Sequence, residues 1–202
     1  MCDLGRQKSI TSGIEAMHRS RTLGDAMVSC RGTWGQDGTI DPISLRIADL
    51  SQTASKSGIL FLATTRLRWS ELAGLDLQLY IERQLHTVKP SKHGRPRVIL
   101  PRPHGNPALW QTVHVDAPIC NIAVRTLTRD IQRCLSLVSV PQIGTAHTGT
   151  HIFRHLWASW RFSLGDSIEI IAEGLGHWST SSTTSYIHPQ LVRKYHELTK
   201  GV

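Results

Sequence analysis

Long apolar runs are missing from these 202 residues: nowhere does the chain approach the roughly 18 to 20 consecutive apolar residues that a membrane-spanning helix needs. The opening residues, MCDLGRQKSITSG, hold no apolar core of the kind a secretory signal carries, so a cytoplasmic protein is expected. Cysteine is scarce. Four residues, at 2, 30, 120 and 134, form no CxxC pair, which excludes a disulfide framework and fits reduced thiols. Acidic residues are also short, 15 Asp+Glu against 23 Lys+Arg, leaving a formal net charge of +8. That surplus makes a polyanion the first partner to consider and says nothing about fold. Internal repeats and low-complexity tracts are absent as well. What is present is an apolar fraction of 40% with 19% charged residues, too hydrophobic for a disordered chain and enough for one domain with its own core.

Residues 1–40 mix Gly5, Gly13, Gly24, Gly32, Gly35 and Gly38 with Ser, Arg and Thr and show no sustained apolar period, which reads as a linker or poorly ordered arm. From 41 to 202 the pattern tightens into a domain. Asp41-Pro42 supplies an N-cap and a first helical position, and Ile43, Ile47 and Leu50 recur near a period of 3.6. Gly58-Ile-Leu-Phe-Leu-Ala63 reads as a buried helix. Alternation of Leu75, Leu77, Leu79 and Ile81 with polar neighbours predicts a half-buried strand, and two shorter runs, 85–88 and 97–100, flank a turn with Pro90, Gly94 and Pro96. Together they predict a three-stranded antiparallel sheet. The fold class expected is mixed α/β, of the α+β kind, mainly helical with that one small sheet. Further helices are predicted from Asp116 to about Val138, over 148–164, from a capping-box-like Asp166-Ser-Ile-Glu169 to Gly174, and from Pro189 to Leu198. Arg125, Arg129 and Arg133 line one face of the first of these, as a solvated stripe or a phosphate-facing ridge.

Several side chains can carry chemistry, and each has a plainer reading. Arg68, taken alone, is a surface residue or a partner for Glu71. His151 and Arg154 are three apart and share a helical face, where an imidazole and a guanidinium fork can meet one phosphate. His151 and His155 have the four-residue spacing of zinc ligands on a helix, but a metalloprotease needs glutamate directly after the first histidine and Ile152 stands there. His177 follows Gly174-Leu-Gly176, where a core or capping role is usual, and Tyr186 by itself reads as packing.

The order of these features is far more specific than any one of them. Thr65-Arg-Leu-Arg68-Trp-Ser-Glu-Leu72 is followed by Lys92-His-Gly-Arg-Pro-Arg97, then His151-Ile-Phe-Arg154-His155, then Leu175-Gly-His177 and Tyr186. Over residues 41–200 this resembles the catalytic domain of the tyrosine recombinase, or phage integrase, family. The resemblance implies that family's catalytic-domain fold and a DNA strand-breaking and rejoining enzyme. Carried over position by position, Arg68 and Arg154 become phosphate-binding arginines and Lys92 the β-turn lysine that protonates the leaving 5′ oxygen. His151 and His177 fill the two histidine positions, Tyr186 becomes the nucleophile, and Glu71 supports the first arginine. No cofactor or metal is implied. The partner implied is double-stranded DNA, bound as a homo-tetramer on paired sites, with the segment from Pro189 docking on a neighbouring protomer. Neither a membrane nor a small-molecule substrate is expected, and association with the nucleoid follows from DNA binding.

That chemistry explains the residue types. An ordinary phenol, with a pKa of about 10, is only about one part in a thousand ionised at pH 7, a deficit of about 4 kcal/mol that a base or positive field must supply. Negative charge building on the nonbridging oxygens calls for fixed cationic donors. Two departures stand out. Arg66 occupies a place where the family commonly has glycine, altering the local turn or adding a phosphate contact, and residues 1–40 do not replace the family's amino-terminal core-binding domain, so a catalytic fragment, a truncated gene product or a minimal member is expected. The role implied is site-specific recombination for a mobile element. Type IB topoisomerase-like relaxation of DNA and a non-cleaving DNA-binding remnant are the alternatives.

Overall fold

The computed structural model describes residues 40–73, 86–88, 97–99, 123–141, 143 and 149–200. The expected arm over 1–40, the turn with Lys92 and the strand expected over 75–81 lie outside these residues, apart from Ile40. Eight helices are described: α1 (Pro42–Leu50), α2 (Thr53–Thr65), α3 (Trp69–Ala73), α4 (Val124–Leu137), α5 (Ile152–Ser163), α6 (Ile168–Leu175), α7 (Thr180–Thr184) and α8 (Pro189–Lys200). Strands β1 (His86–Val88) and β2 (Arg97–Ile99) pair antiparallel, with Thr87 opposite Val98.

This corrects the expected fold class. Among the described residues the chain is mostly helical, and its β structure is a single two-stranded ladder of three residue pairs, not a three-stranded sheet. Alternation at Leu75–Ile81 reports which faces of a segment differ in polarity; it carries no information about a ladder partner, and a ribbon this short cannot form a layer of the core.

The core is built around α5. Each of residues 152–159 is buried, so the helix is covered on both sides. One side meets Ile47 of α1, Ile59 and Leu62 of α2, Ile131 of α4 and Leu191 of α8; on the other, Trp157 and Ala158 pack with Ile171 and Leu175 of α6. Each such side chain contributes about 1.5–3 kcal/mol of apolar transfer. The continuous run Ile59–Ala63 is buried all round, as a helix without a polar face must be. Helix α1 starts as expected: the Asp41 carboxylate accepts from the Ser44 N–H at 2.9 Å and Pro42 takes the first helical turn.

Two boundaries differ from expectation. Ala123 is extended (ψ 133), so α4 begins at Val124 and is not continuous with a helix from Asp116. Within α4, Asp130 is buried, accepts from the Gln52 N–H at 2.9 Å and pairs with Arg133, which also donates to the Leu50 carbonyl at 2.8 Å. Arg133 therefore clasps the α1–α2 turn, while Arg125 and Arg129 are exposed. Ser167, not Asp166, caps α6, because Asp166 pairs with Arg161. Finally, α8 packs on α5 of its own chain, with Leu191 and Tyr195 buried and the Tyr195 hydroxyl donating to the Asp41 carboxylate at 2.6 Å. The apolar face of α8 is thus occupied within the chain.

Candidate active site

Arg154 lies on α5 and is 0% exposed. A buried guanidinium is expensive unless its donors are used. One terminal nitrogen donates to the Arg66 carbonyl at 2.5 Å; the other donates to the Leu175 carbonyl at 2.6 Å and lies 3.0 Å from His177 Nε2. Both carbonyls stand at helix C-termini, those of α2 and α6, where aligned peptide dipoles favour a cation. Both of these acceptors are neutral carbonyls.

Local sequence creates both ends. Gly176 is left-handed (φ 68), its N–H bonds to the Glu173 carbonyl at 3.0 Å, and the next N–H, of His177, bonds to the Ala172 carbonyl at 2.9 Å. This is the Schellman termination that Leu175-Gly-His177 encodes, and it turns His177 back toward Arg154. Arginine is always protonated, so His177 Nε2 must be the acceptor of that contact; in the neutral ring, Nδ1 then carries the hydrogen and faces Thr183 Oγ1 at 3.0 Å.

At the end of α2, Arg66 takes the same left-handed shape (φ 56) without being glycine. Its side chain is buried at 1% exposure and its guanidinium sits 4.2 Å above the Trp157 ring. The turn thus forms with an arginine in the left-handed position, its side chain packed inward on Trp157. Two residues on, Arg68 caps α3. Glu71 holds it twice, accepting from the Arg68 main-chain N–H and from its guanidinium, both at 2.8 Å. The first of these contacts is half of a capping box. The Glu71 side chain is fully covered while that of Arg68 keeps 19% of its surface in water.

Tyr186 is half-buried. The Arg154 guanidinium carbon lies 5.5 Å over its ring centroid, the His177 ring is tilted at 4.9 Å, and the His155 ring is stacked at 4.3 Å with an interplanar angle of 18°. Of the residues singled out from sequence, the structure brings Arg154, His177 and Tyr186 into contact. Arg68 stands two residues from the carbonyl that Arg154 holds. His151 is at the N-terminus of α5, half-buried, joined to Arg154 by the main-chain bond from the Arg154 N–H at 3.0 Å. Lys92 lies outside the described residues.

Sequence reasoning missed four contributors: His155, His188, Ser159 and Thr183. By sequence spacing His155 is only a candidate zinc ligand with His151; its ring instead meets His188, Nδ1 to Nε2, at 2.8 Å. The available signal was a histidine two residues after the candidate nucleophile. No family model matches the chain, and no curated protein matches it. Among solved structures, the crystal structure of XerA recombinase superposes with a TM-score of 0.50 at 18% identity, over 80% of this chain and 64% of that one. The fold is recombinase-like. This recombinase-like chain spans less than two thirds of that protein's length. No helix among its described residues is long and apolar enough to cross a membrane.

Proposed function

We propose that this chain breaks and rejoins DNA through Tyr186, as a site-specific recombinase of the tyrosine type serving a mobile element. The observation that carries the reading is the convergence on one half-buried tyrosine of a fully buried arginine from α5 and a histidine aimed by the end of α6. In this reading the Tyr186 hydroxyl oxygen attacks a backbone phosphorus, a 3′-phosphotyrosyl bond forms, and the bond from phosphorus to the 5′ oxygen breaks. The phenol's proton leaves to a base, and the departing 5′ oxygen takes one from Lys92. Arg68 and Arg154 hold the nonbridging oxygens, with His151 and His177 completing the donor set, and these donors act where charge develops. The reverse attack by a 5′ hydroxyl regenerates the phenol, so the cycle consumes no ATP.

Strand exchange between two duplexes needs four such tyrosines, hence four copies on paired sites. The segment from Pro189 would dock on a neighbouring copy through its exposed face. The +8 charge supports a double-stranded DNA partner, and affinity is expected to fall steeply with salt as phosphate counterions are released.

The test is capture of the intermediate. A pool of nicked duplexes with randomised sequence, incubated with the protein, should give a covalent adduct on a denaturing gel that is lost in Tyr186→Phe. An adduct that persists in Tyr186→Phe sinks the nucleophile assignment. Binding of the pool with no adduct from the unmodified protein favours the non-cleaving reading.

A further inference from the structure

One face of α5 grips the segment that carries Tyr186. His155 and Ser159 stand one helical turn apart on that face. The His155 ring stacks on the Tyr186 ring, and its Nδ1 meets His188 Nε2 at 2.8 Å. The His188 main-chain N–H donates to Ser159 Oγ at 3.0 Å, and Ser159 Oγ donates to the Tyr186 carbonyl at 3.3 Å. These contacts close a loop: tyrosine ring, His155 ring, His188 ring, His188 amide, Ser159 hydroxyl, tyrosine carbonyl. His155 is 2% exposed and Ser159 0%, so both anchors are fixed in the core.

We propose that His155 and His188 form a tether that sets the ring plane of Tyr186 for attack, acting as positioning residues; this rests on the reading of Tyr186 as nucleophile. A nitrogen-to-nitrogen contact of 2.8 Å needs one N–H and one bare nitrogen, so each ring fixes the tautomer of the other. The rings are stacked at 4.3 Å, 18° from parallel, and Tyr186 cannot rotate without displacing His155. His155 in turn cannot rotate without losing His188, and His188 cannot withdraw without breaking its amide bond to Ser159. The chemistry-bearing groups, Arg154 and His177, also lie against Tyr186, so the tether decides how the phenol oxygen is presented to a phosphate they hold. An apolar ring at 155 would stack but would not be anchored.

His188 is the better handle because it is only half-buried. In the full chain, with the randomised nicked pool as probe, His188→Leu should slow adduct formation by roughly ten- to a hundredfold, the cost of misplacing a reacting atom by about an ångström. Affinity for the same pool should change by less than about twofold, since no phosphate donor is removed, as expected of a group acting on orientation. His188→Gln, whose amide can still reach His155, should recover most of the rate. A wild-type rate in His188→Leu, a glutamine variant as slow as the leucine one, or a loss of binding in step with the loss of rate overturns the tether. A second measurement stands apart from catalysis: in the free protein the Tyr186 ring protons should resonate upfield under the His155 ring, and His188→Leu should move them. Unmoved resonances also overturn it. If His188→Leu does not fold, Ser159→Ala cuts the other leg and takes its place in both measurements. Persistence of the adduct in Tyr186→Phe would sink the nucleophile reading while leaving the resonance test of the tether intact.

Discussion

The ends of α2 and α6 do the same job with opposite residues. Each helix stops in a left-handed residue, Arg66 (φ 56, ψ 26) in one and Gly176 (φ 68, ψ 39) in the other. Each end hands a main-chain carbonyl to Arg154. Glycine enters that conformation without steric cost, whereas for a residue with a side chain it costs about 1–2 kcal/mol. At Arg66 the guanidinium over Trp157 offsets it, since a desolvated cation–π contact is worth up to about 2 kcal/mol. The requirement is therefore on the direction of the carbonyl; the side chain is free to vary where a neighbour compensates it.

Breaking both ends at once has the largest expected effect. Arg154→Ala leaves two buried carbonyls and His177 without their donor, and should lower stability by about 3 kcal/mol or more in urea unfolding, with no adduct detected. A buried polar pair remote in sequence from both ends gives a yardstick of intermediate size. Tyr195→Phe removes a hydrogen bond to the buried Asp41 carboxylate and should cost about 1.5–3 kcal/mol. Burial, with the Asp41 charge beside it, pushes the Tyr195 hydroxyl well above the usual phenol range. The folded chain then holds that proton more tightly than the unfolded chain does. Its stabilising contribution is fully present below about pH 10 and is lost as pH rises beyond it, so wild type should weaken in alkali while Tyr195→Phe shows a flatter slope in thermal melts.

One end at a time gives the smallest effects and the sharpest contrast. Gly176→Ala should cost about 1 kcal/mol, with adduct formation slowed by about tenfold as His177 shifts. At position 66 both Arg66→Gly and Arg66→Ala lose the contact with Trp157, but only alanine keeps the left-handed cost. Arg66→Gly should therefore be the more stable of the two by about 1 kcal/mol in thermal melts. Equal stability of the two variants would mean that the conformation at 66 is not what the turn selects.

This contrast also explains what could be read from sequence. Leu175-Gly-His177 announces its own termination, because glycine marks the left-handed residue; Thr65-Arg-Leu does not, because nothing in arginine signals that shape. Asp41-Pro42, the apolar run to Ala63 and the helix opening at Pro189 were legible for the same reason: capping chemistry and helical periodicity are local. The sheet, the start of α4 and the residue capping α6 were misread where the deciding partner lies elsewhere. Arg161 takes Asp166 away from the cap, and no local pattern predicts it. Arg154, His177 and Tyr186 could be named from their order along the chain, yet His155 could not be placed beside Tyr186. Its hydrogen-bond partner, His188, is 33 residues away, and only folding joins them.

The bond between Tyr195 and Asp41 spans 154 residues. It closes the loop within which Arg68, Arg154, His177 and Tyr186 all lie. Loops of that length are slow to close and form late in folding. A nascent chain that has already exposed its tyrosine to the cell still lacks Leu191 and Tyr195, the side chains that seal α1 and α5 behind it. Order around Tyr186 is thus expected only once α8 has been synthesised, and a chain halted before Leu191 would hold Arg154, His177 and Tyr186 without the helix that closes behind them.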